Sequence, residues 1–178
     1  VGYSQVSHCT SEMDITSALK DGENTFEILV VKFCHGSYME DQDFFRLSGI
    51  FRDVYILERS ENYIKDIFVD YNVSDDFTSA ALSVKNEIVG AGELQYKLFA
   101  PCGCLVEEGS AEKDFTITVN NPVLWNSENP QLYTLLISFG GEYISLPLAV
   151  KRIEIKNKTL LLNGQKIPLG ILLCVNFY

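Results

Sequence analysis

The chain has 178 residues, 47% of them hydrophobic, with 24 acidic against 14 basic side chains and a formal net charge of −10. That length holds one large domain or two small ones, and the apolar content supports packed cores rather than disorder. The acidic balance argues against nucleic acid and against an anionic membrane surface, and no run approaches the roughly 18 apolar residues of a membrane-spanning helix.

Eleven Phe and nine Tyr stand against one Trp and two Met, a balance that favours strands over helices. The chain opens on Val1 rather than Met, with no signal peptide, and the opening reads like the middle of a domain, which suggests truncation there. Ile15 to Lys20 shows the one helical hint, with Asp14 or Thr16 available as its cap and Gly22 as its end. Phe26 to Phe33 is apolar on both faces after Glu27 and reads as a central strand buried on both sides.

The stretch Gly36-Ser37-Tyr38-Met39-Glu40-Asp41-Gln42-Asp43-Phe44-Phe45-Arg46 is the most unusual in the chain. If extended, it places Asp41 and Asp43 on one side and Glu40 and Gln42 on the other. Like charges on one side repel, so Arg46, Arg52, a cation or sugar hydroxyls must compensate. Carboxylates suit either ligand, as charge-assisted acceptors or as hard oxygen donors. Local composition alone favours a solvated acidic loop. Asp41 and Asp43 would stand about 6.5 Å apart along such a strand, approaching a glycosidic bond from one wall, which is poor geometry for a hydrolytic pair. Arg46-Leu47-Ser48-Gly49-Ile50-Phe51-Arg52-Asp53-Val54 follows, with Gly49 permitting a tight bend and Arg52 beside Asp53 reading as a structural ion pair.

A boundary is expected near Glu58 to Asn62. Beyond it, Ile67 to Val73, Leu94 to Leu98 and Phe115 to Asn120 alternate with period two, as half-buried antiparallel strands do. Turn signals recur at Ser74-Asp75-Asp76, Gly90-Ala91-Gly92, Pro101-Cys102-Gly103, Asn121-Pro122, Asn129-Pro130 and Gly140-Gly141. About seven strand-like segments lie between the boundary and Val150, enough for an immunoglobulin-like sandwich. Trp125 sits in the loop Leu124-Trp125-Asn126-Ser127-Glu128-Asn129-Pro130-Gln131-Leu132-Tyr133, where a core plug is the commoner role and a carbohydrate platform the sharper one. Past Lys151, Asn163-Gly164 between apolar runs signals a hairpin.

Cys9, Cys34, Cys102, Cys104 and Cys174 make an odd, scattered set, which suggests free thiols in a reducing compartment and hence a cytoplasmic protein. Cys102-Gly103-Cys104 lacks the further ligands of a structural zinc site, so a turn with buried or half-buried thiols is expected. No serine-hydrolase elbow, P-loop, dinucleotide fingerprint or zincin helix is present.

Four stretches, in this order, resemble the β-galactosidases among family-2 glycoside hydrolases. Val1-Gly2-Tyr3-Ser4 through Thr25 is similar to the later strands of that family's jelly-roll domain. Glu40-Asp41-Gln42-Asp43 with Ser48-Gly49-Ile50-Phe51-Arg52-Asp53-Val54 resembles its acidic accessory motif. Trp125 to Tyr133 resembles the motif late in its immunoglobulin-like domain, and Lys151 to Ile167 the lead-in to its TIM barrel. The resemblance implies an all-β chain with three parts. Residues 1–58 would be the end of a jelly-roll sugar-binding domain, 59–150 an immunoglobulin-like sandwich, and 151–178 the lead-in to a missing catalytic barrel. It implies that the parent cleaves terminal β-D-galactose with retention, and that this chain alone is inactive because the acid/base and nucleophile glutamates lie in the barrel. It implies substrate-binding and sodium-ligating roles for Asp43, with magnesium only in the barrel. The implied partners are a galactoside, the barrel and further copies of the parent. The rival reading is a stand-alone carbohydrate-binding or adhesive β-sandwich.

Overall fold

The computed structural model of this chain describes residues 1–5, 9–39 and 49–167. It divides into two compact units, Val1–Leu57 and Glu58–Tyr178.

In the first unit the described residues form a 3₁₀ turn at Thr16–Ala18 and a five-residue helix at His35–Met39, and no strand. The turn falls where the sequence hinted at helix. Asp14 Oδ1 accepts the Thr16 N–H at 2.9 Å and so steers the chain into it, although Ile15, not Asp14, is the residue at the cap position. The hydrogen bonds from Thr16 hold the Asp14 carboxyl below its ordinary range. Phe26 to Phe33 departs from expectation. Its residues form no strand, and Ile28, Leu29, Val30 and Val31 are exposed. A strand exists only where a second backbone supplies its hydrogen bonds, and no described strand runs beside this one.

The second unit is built from paired strands. β1 (Tyr63–Val73), β2 (Ser79–Val89) and β5 (Phe115–Asn120) form one antiparallel sheet in the order β1-β2-β5. β3 (Leu94–Phe99), β4 (Leu105–Ala111), β6 (Tyr133–Phe139) and β7 (Glu142–Leu148) form the other, in the order β4-β3-β6-β7. The expected turn signals fall between these strands. Each sheet sends alternate side chains inward, as period-two sequence requires. Ala80, Leu82, Val84, Ile117 and Val119 come from one sheet, and Leu94, Leu98, Tyr133, Leu135, Ile137 and Phe139 from the other. They form one buried cluster.

Local irregularities have local causes. In β1, Ile64 pairs with Ile88 and Asp66 with Glu87, so Lys65 is an extra residue. That bulge switches parity, which is why Ile64 points inward alongside Ile67, Val69 and Tyr71. Tyr96 and Phe115 stack at 4.0 Å between ring centroids, joining the two sheets. Gly109 stands opposite Tyr96, and a Cβ there would come within 2.7 Å of the phenol oxygen. Asn86 is the one buried polar residue of the described core. Its backbone N–H donates to Asp114 Oδ1 and its Nδ2 to the Lys113 carbonyl, which ties the β4–β5 turn to β2.

Beyond Val150, β8 (Ile153–Lys156), β9 (Thr159–Leu162) and β10 (Gln165–Lys166) form a small antiparallel sheet in the order β10-β9-β8. The Asn163-Gly164 turn joins β9 to β10 with both residues at positive φ, 51° and 76°. A second turn of the same kind, Asn157-Lys158 at 50° and 61°, joins β8 to β9 without a glycine.

Candidate functional site

Asp43, the residue the sequence singles out for sugar and cation, lies outside the described residues, as do Glu40, Asp41, Gln42, Phe44, Phe45 and Arg46. On the near side of that gap, Gly36 to Met39 belong to the short helix. On the far side, Gly49 to Leu57 are exposed and carry no strand. The Arg52 guanidinium lies over the Phe51 ring at 5.2 Å. No group of three or more His, Cys, Asp or Glu among the described residues is placed to hold a metal ion.

The best-developed polar assembly is in the second unit, where the sandwich meets the β8–β10 sheet. The loop from Val123 to Leu132 is its centre. Tyr133, at the start of β6 and buried, accepts the Val123 N–H on its hydroxyl at 2.8 Å, pinning the loop ten residues upstream. This is the device by which immunoglobulin-like sandwiches fix a corner between strands. Asn126 Oδ1 accepts from the N–H groups of Glu128 and Asn129 at 3.0 and 2.8 Å, folding the Asn-Ser-Glu-Asn run into a tight turn. The Trp125 N–H donates to the Val150 carbonyl at 2.8 Å. Its ring is half-buried, and the Lys151 ammonium lies over it at 4.5 Å. The Trp125 carbonyl also accepts from Asn163 Nδ2, so the loop is tied to the β9–β10 turn. Trp125 therefore serves the joint.

Asn163 completes the bracket. Its Oδ1 accepts the Arg152 N–H at 2.9 Å, its Nδ2 donates to the Trp125 carbonyl at 3.0 Å, and its own N–H donates to the Arg152 carbonyl at 2.8 Å. Gly164 follows beneath the Phe77 ring, and a Cβ there would meet that ring at 3.1 Å. The hairpin signal in the sequence thus has a second use, because the residue that makes the turn also clamps it to the sandwich. Arg152 reaches outward and pairs with Asp75 at 2.6 Å, in the β1–β2 turn, and with Glu154 at 2.9 Å. The hydrogen bond the guanidinium donates to Asp75, then the one it donates to Glu154, pushes it further toward its charged form. With both arms engaged, Arg152 is committed to bracing. Sequence reasoning missed Arg152, Asn163's second role and Tyr133, since each works through at least one partner 10 to 77 positions away.

The two thiols of Cys102-Gly103-Cys104 are exposed, contrary to the expectation of burial. They lie in the loop that joins β3 to β4.

Comparison with known proteins agrees with this architecture. The sequence model described as "Glycosyl hydrolases family 2, sugar binding domain" matches residues 1–60, and that described as "Glycosyl hydrolases family 2" matches residues 62–145. A β-galactosidase of Staphylococcus xylosus is 43% identical over 95% of this chain and 17% of its own length. One from Actinobacillus pleuropneumoniae is 44% identical over 94% of this chain and 17% of its own length. Among solved structures, a β-glucuronidase from Ruminococcus gnavus superposes with a TM-score of 0.54 at 24% identity, over 60% of this chain and 19% of that one, which is a likeness of fold. The chain thus spans about one-sixth of the curated relatives it matches.

Proposed function

Since the chain belongs to glycosyl hydrolase family 2, we propose that it is the non-catalytic portion of a β-galactosidase that releases terminal β-D-galactose from galactosides. The observation that carries this reading is the identity of 43% to a β-galactosidase across nearly the whole chain, through both family domains. Retaining hydrolysis needs two carboxyl groups facing each other across the glycosidic bond, one as acid/base and one as nucleophile. In this reading that pair belongs to the barrel, and the present chain supports it in two ways.

The first is through Asp43. Its carboxylate would accept hydrogen bonds from galactose hydroxyls and share a sodium ion, both of which suit a hard, charged oxygen donor. Any magnesium would be held by the barrel. The second is mechanical. The bracket of Trp125, Arg152 and Asn163 joins the sandwich to β8–β10 through backbone and side-chain bonds, which supports a role in holding the following domain. The parent is read as a cytoplasmic homo-oligomer.

Calorimetry tests the reading. Galactoside added to this chain alone is expected to show no micromolar binding, and the chain should not hydrolyse a chromogenic galactoside. Clear micromolar binding would instead establish the stand-alone carbohydrate-binding module. In the complete enzyme, Asp43→Ala should raise KM and remove any activation by sodium. An unchanged sodium response would remove the metal role.

A further inference from the structure

The β3–β4 hairpin carries an assembly that the proposed function does not use. Its loop is Ala100-Pro101-Cys102-Gly103-Cys104. The Gly103 N–H donates to the Ala100 carbonyl at 2.8 Å, closing a β-turn with Pro101 at its second position. The Ala100 N–H donates to the Cys104 carbonyl at 2.8 Å, closing the hairpin one step outward. Proline presets φ at its position, and Gly103 takes φ +80°, a conformation an L side chain rarely adopts. The loop is thereby fixed by chain chemistry rather than by packing. Apart from its two chain neighbours, no described residue comes within 4 Å of where a Gly103 side chain would project, so the tip faces open space.

Within this turn the two thiols are free and exposed. Residues two apart in a bent backbone have Cα atoms roughly 5 to 6 Å apart, inside the range a disulfide spans. The thiols are also inequivalent. The neighbouring Cys104, through its side chain first and its backbone second, holds the Cys102 thiol below its ordinary value, and the same neighbour relation raises Cys104. A thiolate is therefore favoured at one sulfur, with a second thiol beside it to resolve what that sulfur attacks.

We propose that Cys102 and Cys104 form a thiol–disulfide exchange site that a low-molecular-weight disulfide such as oxidised glutathione converts to an intramolecular Cys102–Cys104 disulfide. In the first step Cys102 gives up its proton, its Sγ bonds to one sulfur of the reagent, and the reagent's S–S bond breaks to release one thiol. In the second, Cys104 gives up its proton and attacks Cys102 Sγ, releasing the second thiol. The two protein thiols are oxidised, and the reagent is reduced to two thiols. A short ring closed within a preset turn needs little backbone movement, so the second step is favoured over a lasting mixed disulfide.

The test uses the full chain, reduced and then exposed to oxidised glutathione, quenched by alkylation and mapped by peptide mass. The expected product lacks two hydrogens and links Cys102 to Cys104. Cys104→Ser should stop at a glutathione adduct on Cys102, and Cys102→Ser should react about 10-fold more slowly. In the unmodified chain, alkylation of Cys102 should rise at lower pH than that of Cys104. Both substitutions are at exposed positions, and circular dichroism checks that the sandwich is unchanged. A lasting glutathione adduct in the unchanged chain, a link to Cys9, Cys34 or Cys174 instead, or equal rates for the two variants would each overturn the proposal.

Discussion

Residues 26–33 and residues 133–139 are written in nearly the same alphabet and end in opposite states. Phe26-Glu27-Ile28-Leu29-Val30-Val31-Lys32-Phe33 is, if anything, the more apolar, yet Leu29 is 89% exposed. In Tyr133-Thr134-Leu135-Leu136-Ile137-Ser138-Phe139, Leu135 and Ile137 are fully buried. The difference lies in company. β6 has β3 hydrogen-bonded along one edge and β7 along the other, and the β1-β2-β5 sheet packs on its inner face. None of the described strands pairs with residues 26–33. Apolar sequence states that a segment gains from burial, about 25 cal/mol per Å² of apolar surface, but neighbouring strands decide whether it is buried.

The largest expected effect contrasts the two units directly. Limited proteolysis of this chain should cut on the N-terminal side of Tyr63 first and leave the sandwich intact. An early cut within Tyr63–Leu148 would reverse the comparison. Next, Leu135→Ala should cost about 2–5 kcal/mol of unfolding free energy in denaturant, whereas Leu29→Ala should stay within about 0.5 kcal/mol. A large loss at Leu29 would mean that residues 26–33 are covered in solution.

The bracket at the end of the sandwich offers a finer test. Asn163→Ala removes two side-chain hydrogen bonds and places alanine at φ 51°, so a loss of about 1–3 kcal/mol is expected. Asn163→Gly keeps the turn and loses only the bonds. If the two variants melt together, the clamp rather than the backbone angle carries the effect. Tyr133→Phe should cost about 1 kcal/mol by leaving the Val123 N–H without its acceptor.

The smallest effect is on pH. Ser74 Oγ and then the Thr78 N–H donate to Asp76 Oδ1, holding that carboxyl below its ordinary range. A folded-state value below the unfolded one stabilises the fold above the ordinary aspartate range, and the stabilisation is lost as pH falls through the depressed value. Asp76→Ala should therefore lower stability slightly at neutral pH and leave it unchanged in strong acid, as read from urea midpoints across pH.

Much of the second unit was legible because its signals are local. Alternation placed β1, β3 and β5, and the turn residues Gly140-Gly141 and Asn163-Gly164 marked the ends of β6 and β9. The family was legible too, since it rests on motifs that are contiguous in sequence. Other features needed the folded chain. The Asn157-Lys158 turn carries no glycine, and the Lys65 bulge has no residue signature. The acidic stretch could be proposed as a site from its carboxylates, while Asp43 itself lies outside the described residues.

By itself the sequence determined an acidic chain of short paired strands, because strand period, turn chemistry and composition act over a few residues, while its membership of family 2 rests on the resemblance of contiguous motifs. Only the tertiary structure decided that Trp125 belongs to the joint, because the Lys151 ammonium lies over its ring and its backbone is bonded to Val150 and Asn163. It alone decided that the Cys102 and Cys104 thiols face outward at a hairpin tip, and that residues 26–33 stand uncovered. Burial and pairing are properties of a side chain's neighbours, and those neighbours arrive from distant parts of the chain.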